Sequence, residues 1–218
     1  MDSSYVPIIV QGIGETLYMV FASTIIGYIV GLPLGVVLTL TDAKGLKPNR
    51  IIYKILDVIV NIGRSIPFLI LLILLMPFTR AVVGKSYGST ATIVPLTISA
   101  IPFIARMVEQ SLKEVDPGVI EAAQSMGASP AQIVVHVLMV EARASLVLGT
   151  TIVFAAILGY SAMAGVIGGG GLGDIATRYG YYHREEVVMW VTVILLVALV
   201  QIFQTIGSLA ANKIDKRK

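Results

Sequence analysis

The polar side chains that could carry out chemistry are few, and three of them lie at helical spacing. Asp57, Asn61 and Arg64 are four and three residues apart, so on an α-helix they would share one face. They interrupt an apolar stretch, where a charged side chain is unfavourable unless it faces protein, water or the membrane surface. Two interpretations remain open: the three residues line a solute pathway, or Arg64 marks where a shallow helix enters the membrane.

No enzyme active site, cofactor site or metal centre is predicted within this chain. Cysteine is absent and the two histidines, His136 and His183, lie far apart, which disfavours thiolate chemistry and metal binding. The glycines of residues 168–173 formally match a dinucleotide fingerprint, but they follow an apolar span and not a β-strand. We also find no basic and aromatic patch that would indicate a nucleic-acid partner.

The composition is that of a membrane protein. The 218 residues are 56% hydrophobic and 13% charged, with a mean hydropathy of +0.87, whereas soluble domains carry roughly 25% charged residues. Crossing a bilayer core takes ~20 apolar residues. Segments of that kind cover residues 16–40, 55–78, 86–105, 144–165 and 187–211. The predicted fold class is an all-α membrane protein, a polytopic bundle of five transmembrane helices in one domain over residues 1–218.

The Lys and Arg residues predict how this bundle crosses the membrane. Five spans would place eleven basic residues on one side and four on the other, with Arg64 inside a span. The eleven are Lys44, Lys47, Arg50, Lys54, Arg106, Lys113, Arg143, Lys213, Lys216, Arg217 and Lys218, and the four are Arg80, Lys85, Arg178 and Arg184. Because basic residues concentrate on the cytoplasmic side, we expect the N-terminus outside and the C-terminus in the cytoplasm of a prokaryotic cell.

The first residues of the chain, Met1-Asp2-Ser3-Ser4, do not resemble a cleaved signal peptide. They lack a basic region, and no short apolar core ending in small residues follows them. We therefore expect the first span to remain in the mature protein, which would reside in the cytoplasmic (inner) membrane.

The connection over residues 113–143 is predicted to form two short helices joined by a sharp turn. Asp116 suits an N-cap and Pro117 the first helical position, while Gly127 suits the left-handed conformation that ends a helix. Ser129 and Pro130 repeat the same starting pattern.

The first of these helices is predicted to carry an apolar face. Val119, Ile120, Ala123 and Met126 recur at helical spacing. Such a face could insert into a groove on a soluble partner or lie on the membrane surface, and periodicity alone leaves both possibilities open.

The same residues carry a family resemblance. Glu121-Ala122-Ala123, followed by Gly127 and Ile133, resembles the cytoplasmic EAA motif of ABC-importer permeases. The resemblance implies that the segment is a coupling helix that docks into a cleft of a separate ATPase subunit, which binds ATP and Mg. One departure is visible: the family commonly has a Leu-Pro pair after the motif, whereas residues 138–141 of this chain read Leu-Met-Val-Glu.

Further segments resemble the permease of methionine-type importers in five-span form. They are residues 61–68, 93–97, 102–109 and 159–165. This resemblance implies a homodimer, two ATPase subunits and an extracytoplasmic binding protein, which together import methionine, both L and D, by alternating access. Alternatives are a permease for another amino acid, an osmoprotectant or a phosphonate, an ion-coupled transporter or channel, and a purely structural membrane scaffold.

Glycines distinguish two further segments. Seven glycines within residues 159–173 predict that the helix there does not continue throughout, which suits an outer gate, a docking surface or a flexible loop. Tyr160, Ser161 and Met163 are the candidate gate residues. Glycines at positions 27, 31 and 35 predict a close helix contact, either inside the subunit or across a dimer.

Overall fold

The structure is a computed structural model that describes residues 5–215, and this part of the chain contains helices and no β-strand. The helices in chain order are α1 (Tyr5–Thr41), α2 (Arg50–Ser65), α3 (Phe68–Leu74), α4 (Met76–Val83), α5 (Ser89–Lys113), α6 (Pro117–Ser125), α7 (Pro130–Glu141), α8 (Arg143–Ala164), α9 (Gly171–Ile175) and α10 (Glu186–Ile214). A π-helical turn, Ala176–Tyr182, continues α9. The starting residues Met1-Asp2-Ser3-Ser4 and the basic residues Lys216, Arg217 and Lys218, used above for the signal peptide and the orientation, lie outside the described residues.

Four of these helices are long and apolar enough to cross a membrane: α1, α5, α8 with the segment that follows it, and α10. Each overlaps one of the predicted spans. Helix α1 begins at Tyr5 and α5 ends at Lys113, so both extend beyond the apolar windows. The extra turns keep their backbone hydrogen bonds outside the apolar layer, which is why apolar length alone underestimates them.

The remaining predicted span, residues 55–78, is not one straight helix. Asn49 caps α2 by accepting hydrogen bonds from the amides of Ile51 and Ile52, both at 3.1 Å, so the helix begins earlier than its apolar run. Helix α2 ends at Ser65, and α3 departs from its direction by 99°. Pro67 explains the break, because it disfavours a helical conformation at Ile66, whose ψ is 122°.

Helices α1 and α5 form the closest long contact in the bundle, and the glycines at positions 27, 31 and 35 lie within it. A Cβ atom at Gly31 would lie 2.9 Å from the carbonyl oxygen of Ile101, and one at Gly35 would lie 2.6 Å from that of Ala105. Both contacts are too short for a methyl group. The glycine stripe therefore packs within the subunit, as one of the two interpretations predicted.

The core follows from this contact. Its largest cluster joins α1, α5 and α8 through side chains such as Met19, Leu96, Ile104 and Ile157, all buried. Helix α10 packs on α8, but only a small part of α10 is buried. Most of its apolar side chains therefore lie on the outside of the bundle.

The contacts divide the bundle into two ends. Asp42, which follows α1, pairs with Lys113 at the end of α5, and Arg143 of α8 and Ile214 of α10 border one common cavity. The opposite end gathers the first turns of α1 and α5 with the glycine-rich segment between α8 and α9. The first end carries most of the basic residues that predicted the cytoplasmic side.

Candidate functional site

The predicted helix-turn-helix between α5 and α8 is present, with each capping residue in its expected role. The Asp116 carboxylate accepts a hydrogen bond of 2.7 Å from the amide of Gly118, and Pro117 is the first residue of α6. Gly127 follows α6 with φ of 81°, and the amide of Ala128 donates to the carbonyl oxygen of Ala123 at 3.1 Å. These bonds fix a tight reversal at the end of α6.

Helix α7 begins with a reciprocal cap. The Ser129 hydroxyl accepts a hydrogen bond from the amide of Gln132, and the Gln132 side chain accepts one from the amide of Ser129. The turns Ile133–Leu138 are π-helical, and Ala142 separates α7 from α8. Met139–Glu141, in the stretch where the motif commonly carries Leu-Pro, is α-helical here, with the wide turns before it and Ala142 after it.

The motif residues of this element divide between its two faces. Ala123 and Ile133 are buried against the core, whereas Glu121, Ala122 and Gly127 are exposed. The apolar set predicted from periodicity is divided in the same way, because Val119 and Met126 are 43% and 82% exposed. Helix α6 thus anchors one side in the subunit and presents the other outward.

An open cavity of about 650 Å³ lies between α6 and the loop that joins α1 to α2. Its wall includes apolar Leu46 and Ile120 beside the charged Asp42, Lys113 and Glu121. The Lys113 ammonium lies 2.5 Å from the Asp42 carboxylate and holds the pKa of that carboxyl below its usual value. This ion pair therefore joins the loop after α1 to the end of α5, just before α6 begins.

A polar network that the sequence analysis missed connects α2 to α5. Arg106 donates to Asp57 at 2.5 Å, to Asn61 at 2.9 Å and to Glu109 at 2.6 Å. Glu109 is 1% exposed and also accepts from Lys113 at 2.8 Å. A signal was present, since Arg106, Glu109 and Lys113 recur at helical spacing on α5, opposite the stripe on α2.

The stripe predicted on α2 is brought together only in part. Asp57 and Asn61 share the Arg106 guanidinium, but Arg64 is exposed and makes no hydrogen bond or ion pair within residues 5–215. Gly63 lies against Pro102, near the middle of α5. Arg64 thus lies within the depth of the apolar run of α5, residues 86–105, on the side of its basic end, where a charge that faces lipid is unfavourable.

The three candidate gate residues occupy different environments on α8. The Tyr160 ring stacks on Phe68 of α3, with ring centroids 4.7 Å apart and planes within 8°. Ser161 is buried and donates to the carbonyl oxygen of Leu158 at 2.7 Å, so its hydroxyl is used within its own helix. Met163 is 43% exposed. Of the three, Met163 has the most side-chain surface available.

The glycine-rich segment is helical up to Ala164 and then reverses direction. Its backbone is held by the opposite end of the chain, because the Gly171 amide donates to the Glu15 carboxylate at 2.8 Å and the Leu172 amide to the Thr16 hydroxyl at 2.9 Å. The Thr92 hydroxyl of α5 donates to the carbonyl oxygen of Gly169. A flexible external loop is therefore the wrong description, and the segment is packed protein.

Within residues 5–215 no three His, Asp or Glu side chains come together as metal ligands. The geometry provides a capped helix with one buried and one exposed side, an ion network between α2 and α5, and the unpaired charge of Arg64 beside the apolar run of α5.

A model of the family described as the binding-protein-dependent transport system inner membrane component matches residues 27–218. The chain belongs to this family. It is therefore an inner-membrane transport component of the all-α permease type and not an enzyme, which confirms the predicted fold class and family resemblance. Membership decides against the alternatives of an ion-coupled transporter, a channel or a structural scaffold.

Relatives and solved structures narrow the comparison within this family. The probable D-methionine transport system permease protein MetI of Vibrio cholerae is 49% identical over 203 residues, 93% of this chain and 90% of that protein. The D-methionine transport system permease protein MetI of Escherichia coli K12 is 51% identical over 158 residues, 72% of this chain and 73% of that protein.

A chain of the MetNI methionine ABC transporter in inward-facing conformations superimposes with a TM-score of 0.97 at 46% identity, covering 99% of this chain and 100% of that chain. A chain of an amino acid ABC transporter solved with histidines has a TM-score of 0.78 at 23% identity, covering 96% and 95%. This second structure shows only that the two chains have the same fold.

Proposed function

We propose that this chain is the membrane-spanning permease subunit of an ABC importer for methionine, both L and D. Support comes from the relatives named D-methionine transport system permease proteins, at about half identity over most of the chain, and from the similar structure of the MetNI methionine ABC transporter. The working unit would be a homodimer of this single transmembrane domain with two copies of an ATPase subunit and an extracytoplasmic binding protein. ATP and Mg would be bound by the ATPase and not by this chain.

The observation that carries the proposal is the double-sided helix α6. Its buried Ala123 fastens it to the bundle, while exposed Glu121 and Ala122 remain available to a partner. When ATP binding closes the ATPase pair, α6 would move with it and turn the central cavity outward. The family-typical residues Gly127 and Ile133 would fix the turn and the anchor of this joint.

The proposed orientation places α6 in the cytoplasm, the N-terminus outside and the C-terminus inside. It is supported by the basic residues gathered at the end of the bundle where α6 lies, including Lys44, Lys113 and Arg143.

The solute pathway is proposed to run past the polar face of α2 towards the outer part of α8. Asp57 and Asn61 would shape its cytoplasmic half through Arg106, and Arg64 would stand above them. Tyr160 and Met163 would form the outer gate, with the flexible thioether of Met163 as its closure. Ser161 would support that gate from inside α8.

The decisive experiment is uptake by proteoliposomes that contain this chain, its ATPase and its binding protein. We expect ATP-dependent accumulation of labelled L- and D-methionine, and none when the ATPase or the binding protein is omitted. Excess unlabelled histidine, glycine betaine or a phosphonate should leave the uptake unchanged. Accumulation of methionine without the ATPase would contradict the proposal. Inhibition of methionine uptake by any one of these three solutes would contradict it as well.

A further inference from the structure

Helix α2 has two unlike surfaces, and Arg64 does not lie on the apolar one. The apolar residues of α2 that are more than 40% exposed are Ile51, Ile52, Ile55, Val58, Ile59 and Ile62. Ile62 and Arg64 are two residues apart, so on a helix they project about 160° away from each other. If the apolar stripe faces lipid, Arg64 faces away from lipid.

The depth of Arg64 follows from the neighbour of Gly63. A Cβ atom at Gly63 would lie 3.0 Å from Cγ of Pro102. Pro102 comes 13 residues after Ser89 and 11 residues before Lys113, the two ends of the spanning helix α5. Pro102 also lies within the apolar run of α5, residues 86–105, three residues before its basic end, so the guanidinium is carried within the apolar layer on the side of that end.

The chain is broken at the same level. Helix α2 ends at Ser65, and the 99° bend to α3 leaves its last carbonyl groups without amides from a following turn. Irregular backbone at membrane depth is tolerated where it is covered by protein or borders water. The carbonyl groups at the end of α2 and the charge of Arg64 thus lie at the same level of the bundle.

Arg64 also differs from the other arginine of this region. Arg106 has three oxygen acceptors, on Asp57, Asn61 and Glu109, whereas Arg64 has none within residues 5–215. Its side chain is exposed on the flank of α2 that continues from Asp57 and Asn61. A guanidinium without an acceptor at this depth is suited to a carboxylate, which it can bind with two parallel hydrogen bonds.

We propose that Arg64 faces the solute pathway and binds the carboxylate of the amino-acid solute during its passage. This inference rests on the proposed function and adds the residue that recognises the charged group of the solute. A carboxylate of a second copy of the chain could also bind the Arg64 guanidinium. The experiments below therefore distinguish the solute from the second copy as the source of the carboxylate.

The position of Arg64 is tested first by thiol labelling, for which the chain is suited because it contains no cysteine. In the assembled transporter, Arg64→Cys should react with a charged, water-soluble methanethiosulfonate. Ile62→Cys, which is on the apolar stripe, should react at least about tenfold more slowly. Equal slow reaction at both positions would overturn the pathway location.

The role of the charge is tested by uptake. Arg64→Gln should lower methionine uptake about 10- to 100-fold, the loss expected for a charged hydrogen-bonded pair. Arg64→Lys should fall between Arg64→Gln and the unchanged protein. Modification of Arg64→Cys with an aminoethyl thiosulfonate restores a cation and should raise uptake, whereas the sulfonatoethyl reagent should not. Unchanged uptake by Arg64→Gln, or equal effects of both reagents, would overturn the proposal.

The source of the carboxylate is decided by assembly. If the solute supplies it, Arg64→Gln should elute from size exclusion with the same subunit ratio as the unchanged complex. Dissociation of the two permease copies would assign the guanidinium to the partner copy and overturn the solute role. Failure of the unchanged transporter to take up methionine would contradict the proposed function instead, and the labelling result would still stand.

Discussion

Glu109 shows how one buried acid can organise several helices. Its carboxylate accepts hydrogen bonds from Arg106, Lys113 and the Tyr53 hydroxyl, the last at 3.1 Å, although its side chain is 1% exposed. A buried charge is tolerated only when paired and hydrogen-bonded in this way. The role of Glu109 is to hold α2 against α5.

Replacing Glu109 with glutamine should therefore destabilise the subunit. The variant keeps the shape but gives Arg106 and Lys113 a neutral partner, and we expect a loss of about 1–3 kcal/mol in the free energy of unfolding. Thermal unfolding in detergent measures it as a lower Tm. Glu114→Gln, on the exposed surface beyond α5, is the control and should leave Tm unchanged. An unaltered Tm for Glu109→Gln would contradict the organising role.

Gly127 is a position where a substitution would affect the backbone conformation and not the packing of side chains. Its φ is 81°, and a Cβ atom there would meet no other atom within 4 Å. Gly127→Val should strain the turn by about 1–2 kcal/mol, whereas Gly127→Asn should be tolerated, because asparagine adopts the left-handed conformation more readily. We expect ATPase stimulation by the loaded binding protein to fall in the valine variant only. Equal stimulation in both variants would refute the coupling role of the turn.

At the scale of the helix, the α1–α5 contact depends on glycines, which have no side chain to keep the two helices apart. Gly31→Leu would place its Cβ 2.8 Å from that of Ile104, so the two helices must separate. Gly14 is on the same helix with nothing within 4 Å of its Cβ position, which makes Gly14→Leu a matched control. We expect a lower Tm and less assembled protein for Gly31→Leu alone. Similar behaviour of the two variants would contradict the contact.

Some elements could be predicted from the sequence and others could not, for physical reasons. The caps of α6 and α7 were predictable because Asp116, Gly127 and Ser129 act on amides a few residues away. The pairs within α5 follow from helical spacing, but the bonds from Arg106 to Asp57 and Asn61 were not predictable, because they join residues more than forty positions apart whose relative placement depends on packing. Likewise Pro67 accounts for a break in the second span, but the 99° angle depends on contacts with α5 and α8.

The whole molecule has one end that is basic and one that is compact and glycine-rich, and this polarity gives a further prediction. We expect a fluorescent protein fused after residue 218 to fluoresce in the cytoplasm, and a cysteine at Gln124 on α6 to be labelled only after the membrane is made permeable. A cysteine at Tyr87, exposed at the opposite end, should be labelled in intact spheroplasts. The reverse pattern would overturn the proposed orientation.

The bonds from Glu15 and Thr16 to residues 171 and 172 bear on biogenesis. Each joins positions 156 residues apart in the chain. At about 5–20 residues per second, a ribosome needs roughly 8–30 s to supply that length. During this interval the first helix would carry an acid that is paired with Gln11 of the same helix but lacks its second donor, the Gly171 amide. A nascent chain arrested before residue 168 should therefore present an unfinished polar surface to quality-control proteases, and its degradation should slow once residue 172 has emerged.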